Sequence, residues 1–212
     1  MKVELSAASP LQQKVDIIGI PCFEEDLARG ARSPLRALVA AADRGLAGQL
    51  LQAAREERFE GGPESSFVIH TGGRLRCVRL ALLGLGKRER HCPEGLRQAA
   101  AQLVRSASRV SAASVALVLP GAGPVELEAR AAAEGALLGG YRFDVYRSAR
   151  SRRPPGPARL TLLSLARTES RRAALSNATS VKTRFDLPLL SASFSSRLAL
   201  ETSAPSNREF RT

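Results

Sequence analysis

The chain has 212 residues, 44% of them hydrophobic, which is enough for one sizeable domain and an appendage. An aromatic content of 4% with no Trp excludes a core built on aromatic rings and leaves Leu, Val, Ala and Ile packing, which fits α/β layers. The net charge of +12 is uneven: residues 1–145 carry 19 Lys and Arg against 16 Asp and Glu, whereas residues 146–212 carry 13 against 4.

Lys2 to Ser6 alternates as a half-buried strand, and Val15 to Ile20 is a buried strand that Pro21 should end. After the acidic turn Glu24-Glu25-Asp26, Ser33-Pro34 is a helix cap with Pro at the first helical position, and Leu35, Leu38, Val39 and Ala42 follow at helical spacing. Gly45 stops this helix. Leu46, Leu50, Leu51 and Ala54 form a second, shorter one that ends in the solvated cluster Arg55-Glu56-Glu57-Arg58. Ser66 to His70 reads as a strand, and Thr71-Gly72-Gly73-Arg74 turns it back as a hairpin. The apolar run from Cys77 to Leu83 lacks alternation, so it is expected to be a central strand covered on both faces. The spacing predicts a helix over 93–109, and Ser114 to Leu119 repeats the buried-strand pattern. Together these make a right-handed strand-helix-strand unit. A helix starts at Pro124 and runs to Asp144, with Glu126 and Glu128 near its positive end. Gly135, Gly139 and Gly140 each weaken it by roughly 1 kcal/mol, so close approach of another backbone is the expected reason for them.

No apolar run approaches the roughly 20 residues that cross a bilayer, and no basic patch precedes an apolar stretch at the N-terminus. A cytoplasmic location with no membrane partner is therefore expected. Cys22, Cys77 and Cys92 are odd in number and lack Cys-x-x-Cys spacing, which points to free thiols. His91 beside Cys92, with His70 elsewhere, does not have the geometry of a metal or nucleophile pair. Gly84-Leu85-Gly86-Lys87 follows a strand as a phosphate loop would, but Ala81 and Arg88 break the nucleotide-binding spacing and Glu89 breaks the dinucleotide one. A strand-end turn is the expectation. Glu24, Glu25 and Asp26 are expected to face water, and Glu126 and Glu128 to act as helix-dipole partners. No catalytic, cofactor-binding or metal-binding residue stands out. The Pro-rich stretch Arg152-Arg153-Pro154-Pro155-Gly156-Pro157 coincides with the charge break, so residues 1–147 are taken as one α/β domain and 148–212 as a linker and basic, poorly ordered tail.

Two stretches carry a resemblance. Ala133 to Ser148, a glycine-containing helix ending in Tyr141-Arg142-Phe143-Asp144 with Tyr146 after it, resembles the helix that closes the N-terminal domain of leucyl (cytosol) aminopeptidases. The strand ending Leu83-Gly84-Leu85-Gly86-Lys87, followed by a loop and an Ala-rich helix, is similar to the same domain upstream. With Val15 to Ile20 the likeness covers about residues 1 to 165, and Ala158 to Leu163 resembles the family's strand after the linker. The resemblance implies a mixed sheet with helices on both faces, a three-layer macrodomain-like domain that precedes a separate catalytic domain in hexameric enzymes. In that family the catalytic half binds two divalent metals, zinc or manganese, and carries an Asn-Thr-Asp-Ala-Glu-Gly-Arg motif. Nothing in this chain matches the motif, so no metal ligand or catalytic residue carries over. Beyond about Ser176 the likeness stops, and the tail reads as a truncated or frame-shifted start of the catalytic domain. A natural stand-alone domain is the competing reading.

The leading expectation is thus a non-catalytic N-terminal domain with an assembly or access role, whose partners are copies of itself or a catalytic aminopeptidase domain. The alternative is a non-specific nucleic-acid-binding module that contacts phosphates through Arg150, Arg152, Arg153, Arg171 and Arg172. A third is a pocket for an ADP-ribose-like ligand around Gly84 to Lys87.

Overall fold

A computed structural model describes residues 1–28, 32–141 and 156–165. Within these, β1 (Lys2–Ser6), β2 (Ile17–Phe23), β3 (Ser66–His70), β4 (Arg79–Gly86), β5 (Ser114–Val118) and β6 (Arg159–Leu163) form one sheet in the order β1-β6-β5-β2-β4-β3. Every neighbouring pair is parallel except β3 with β4, the expected hairpin. The helices are α1 (Glu24–Leu27), α2 (Pro34–Gly45), α3 (Gln49–Glu56), α4 (Pro93–Arg109) and α5 (Val125–Gly140).

The layers follow from the order of the strands. α4 leads from β4 past β2 to β5, and α5 leads from β5 to β6, so both crossovers travel the same way across the sheet. Right-handed connections put both helices on one face. The connection between the parallel neighbours β2 and β4, which contains α2 and α3, travels the other way across the sheet, and the same hand puts those helices on the opposite face. α4 lies so close to the sheet that a methyl group at Gly19 of β2 would come within 2.6 Å of Leu103 Cδ2. Every residue of β2 is buried, and so is β4 from Leu80 to Gly86, as strands sandwiched between helices must be.

Several sequence expectations are met through local chemistry. Ser33 caps α2 by accepting the Arg36 N–H at 2.9 Å, with Pro34 leading the helix. The glycines of α5 do admit a neighbouring backbone: a methyl on Gly135 would overlap the Arg97 carbonyl of α4, and one on Gly139 would lie 2.5 Å from Ala101 Cα. Other expectations shift. β2 runs through Pro21 to Phe23, because its ladder to β5 ends at Gly19 and the absent proline N–H falls beyond it. β4 is one position from the sheet edge rather than central, since an unbroken apolar run reports cover on two faces and not rank in the sheet. α5 stops at Gly140 with Tyr141 extended, earlier than the expected end at Asp144.

The sheet also extends past the boundary read at residue 148. β6 lies between β1 and β5, with Leu160, Leu162 and Leu163 buried in the common core. The expected truncation and disorder of the later tail concern positions outside the described residues. Among the described residues no helix is long and apolar enough to cross a membrane.

Candidate functional site

In open α/β sheets the C-terminal ends of parallel strands are where ligands are met, so the connections leaving β2, β4 and β5 define the candidate site. Each turns out to be closed by side chains or backbone of this chain.

Behind β2, Asp26 is buried, contrary to the expectation that it faces water. Its carboxylate accepts the Phe23 N–H at 3.1 Å and the Ser33 hydroxyl, and pairs with Arg88 Nη2 at 2.9 Å. The reason is local: α1 begins directly after a fully buried strand, so its third residue folds back over the strand end instead of outward. Glu25 is exposed and receives the Arg88 N–H at 3.1 and 3.2 Å. The Arg88 guanidinium lies 4.2 Å above the centre of the Phe23 ring, and the His91 ring meets the same phenyl edge-on at 5.2 Å. Burial, and then the Arg88 charge, hold the His91 pKa below its ordinary value.

Behind β4, the N–H groups of Gly84 and Gly86 are already used. They donate to the Ser65 carbonyl at 2.8 Å and to the Gly61 carbonyl at 2.9 Å, which continues the hairpin past β3. A methyl on Gly84 would overlap the Gly62 carbonyl and the Ser65 hydroxyl, so the two glycines exist to admit the 61–65 loop. The turn expected over Gly84 to Lys87 lies further on: β4 runs through Gly86 because the 61–65 loop continues its ladder, and the chain turns only at the short 3-10 segment Arg88–Arg90. The two amides are not free for an ADP-ribose-like ligand.

Behind β5, the successive N–H groups of Gly121, Ala122 and Gly123 converge as an anion-binding nest. Its occupant is the Glu128 carboxylate, which accepts them at 3.0, 2.7 and 3.0 Å. Burial raises the Glu128 pKa, opposed by these three hydrogen bonds. Glu128 lies in the first turn of α5, as a helix-dipole partner should, and is in addition a buried anchor of the preceding loop.

The remaining candidates stay apart. Cys22 and Cys77 are buried thiols whose pKa values burial pushes up, and Cys92 is exposed at the start of α4. His70 sits at the end of β3, where its Nδ1 accepts the Gly72 N–H at 3.0 Å. Among the described residues no three His, Cys, Asp or Glu side chains are grouped to hold a metal, so a two-metal centre does not fit these residues. Arg150, Arg152, Arg153, Arg171 and Arg172 lie outside the described residues. The sequence reading missed Arg88, whose partner Asp26 is 62 positions away. It also missed the lock made by Glu128, for which the Gly-Ala-Gly-Pro turn four residues upstream of a helical Glu was the available signal.

A family model described as the cytosol aminopeptidase family, N-terminal domain, matches residues 20–150. A probable cytosol aminopeptidase from Geobacter sp. (strain M21) is 33% identical over 148 residues, covering 70% of this chain and 28% of that protein. Leucine aminopeptidase 2, chloroplastic, from Arabidopsis thaliana is 31% identical over 141 residues, covering 64% of this chain and 24% of the plant protein. The chain thus spans under a third of the length of these relatives. Among solved structures, a tomato leucine aminopeptidase variant superposes with a TM-score of 0.67 at 24% identity, over 86% of this chain and 36% of the tomato chain. An Oceanobacillus iheyensis macrodomain variant superposes with a TM-score of 0.61 at 10% identity, over 86% and 93% of the two chains. At these identities the two structures speak to the fold alone, a three-layer macrodomain-like one.

Proposed function

Because the chain belongs to the cytosol aminopeptidase family through that family's N-terminal domain, we propose that it serves as the non-catalytic domain of a leucyl aminopeptidase, supplying assembly contacts or shaping access to a catalytic half, and has no turnover of its own. The family match over residues 20–150 carries this reading. The reaction it would serve is metal-dependent removal of N-terminal amino acids from peptides. The two divalent metals that polarise the peptide carbonyl and activate water belong, on this reading, to the catalytic half.

The rim chemistry supports a scaffold role. Asp26, Glu25, Arg88 and Glu128 are each engaged in fixing a loop, so their contribution is to hold the strand ends in one shape. A domain that must present a constant surface to a partner needs that rigidity.

Two assays test the proposal. The purified chain with added manganese is expected to release no leucine from a leucyl peptide above background; clear turnover overturns the reading. Residues 1–165 grafted in place of the matched segment of the Geobacter enzyme are expected to give an assembled, active chimera. An aggregated or unassembled chimera whose graft is itself folded counts against it.

A further inference from the structure

The two edges of the sheet differ in a way that bears on assembly. β1 carries Lys2 and Glu4, ion-paired at 2.6 Å, and such charges discourage another strand from adding there. β3 is Ser66-Phe67-Val68-Ile69-His70, with no Lys, Arg, Asp, Glu or Pro to blunt it. The hairpin register fixes which of its backbone groups face outward. Thr71 donates to the Val78 carbonyl and Gly84 to the Ser65 carbonyl, so the odd-numbered residues bond β4. The N–H and C=O groups of Ser66, Val68 and His70 therefore point away from β4, and no described residue bonds them. The side chains of the same three residues are exposed, Val68 by 39%.

We propose that this edge pairs antiparallel with β3 of a second copy of the chain, centred on Val68, so that two six-stranded sheets become one. The strand is self-complementary about its middle residue. Under a twofold axis Val68 faces its own counterpart, and Ser66 faces His70. All three residues present both a donor and an acceptor outward, so each facing pair is of the hydrogen-bonded type. No like charges oppose one another, and two half-exposed valines cover each other at the centre. An open, uncharged strand edge is a template for another extended backbone, and the matched register and absence of opposed like charges suit a second copy of the same strand. The inference deepens the assembly part of the family reading by naming the surface and the partner.

The test uses the full chain in sedimentation velocity over about 1 to 100 µM, a range that brackets ordinary homodimer affinities. A dimer is expected, with amide exchange at Ser66, Val68 and His70 slowing as concentration rises, while Phe67 and Ile69 are protected throughout. Val68→Pro breaks no hydrogen bond to β4, since the N–H it removes points outward, so the chain should still fold while dimer affinity drops about tenfold or more. Val68→Lys, which sets like charges opposite each other, should act the same way. A monomer across the whole range overturns the proposal, as does a dimer that survives both substitutions or leaves exchange at the three amides independent of concentration. A monomeric chain that still supports an active chimera sinks the edge pairing and leaves the family reading standing.

Discussion

The Glu128 carboxylate accepts the Ala122 N–H at 2.7 Å, the shortest of three bonds that tie the loop after β5 to the first turn of α5. A glutamine in its place offers one carbonyl oxygen and presents N–H groups toward other N–H groups. Glu128→Gln should therefore cost about 1–3 kcal/mol of stability, the range for leaving buried donors unsatisfied. Urea denaturation checks this: the midpoint should fall with the slope unchanged.

Gly135→Ala should also destabilise, by about 1–3 kcal/mol, because the new methyl overlaps the Arg97 carbonyl and pushes α4 and α5 apart. In an isolated helix the same change would gain up to ~1 kcal/mol, so the sign of the effect reports the helix contact. Thermal melting of the variant, set against helicity of a peptide spanning α5, separates the two.

Arg88→Ala leaves the buried Asp26 carboxylate without its cation and removes the group stacked on Phe23. Arg88 itself is 40% exposed and therefore partly screened, so a cost of about 1–3 kcal/mol is expected rather than the larger penalty of a fully buried pair. The double variant Asp26→Asn with Arg88→Ala should lose less than the sum of the singles. Additive losses in the denaturation cycle would show that the two groups are not coupled.

His91 predicts a slope in stability with pH. Its folded pKa lies below the ordinary imidazole value near 6.5, so in that interval the unfolded chain binds the extra proton. Stability is fully retained above the unfolded value and falls as pH drops from there toward the folded one. Glu128, whose pKa is raised, contributes the opposite slope above the ordinary carboxylate range, so the test is a difference. Wild type minus His91→Phe, measured by denaturation between pH values on either side of about 6.5, should isolate the histidine's loss on acidification. No change in that difference with pH would contradict it.

Much of the layer structure was legible because it rests on periodicity. The apolar run of β4, the spacing of α4 and the cap at Ser33 each depend on residues near in sequence, and each forms the element expected, although the rank of β4 in the sheet was not legible from its run. The glycines of α5 were legible for a different reason: their cost to a helix demanded a compensating contact, which Arg97 and Ala101 supply. β6 could not be placed from its own residues, because Arg159 to Leu163 follows a Pro-rich stretch and a charge break, and only the family likeness marked it as a strand. The candidate site was least legible. Asp26 turns inward as the third residue of α1, but its partner Arg88 is brought to it by the pairing of β2 with β4, which no pattern near either residue records.

The position of β6 sets a constraint on synthesis. β1 is made before the other five strands, and among the described residues its strand neighbour is β6 alone, with Lys2 in register with Arg159. During synthesis β1 must therefore wait for almost the whole domain to be made before it can dock on β6. Such non-local pairing makes the final step slow and leaves the β5 edge open in the meantime. Polypeptides halted before residue 159 would carry that edge, lined by Val115 to Val118, as a persistent aggregation hazard.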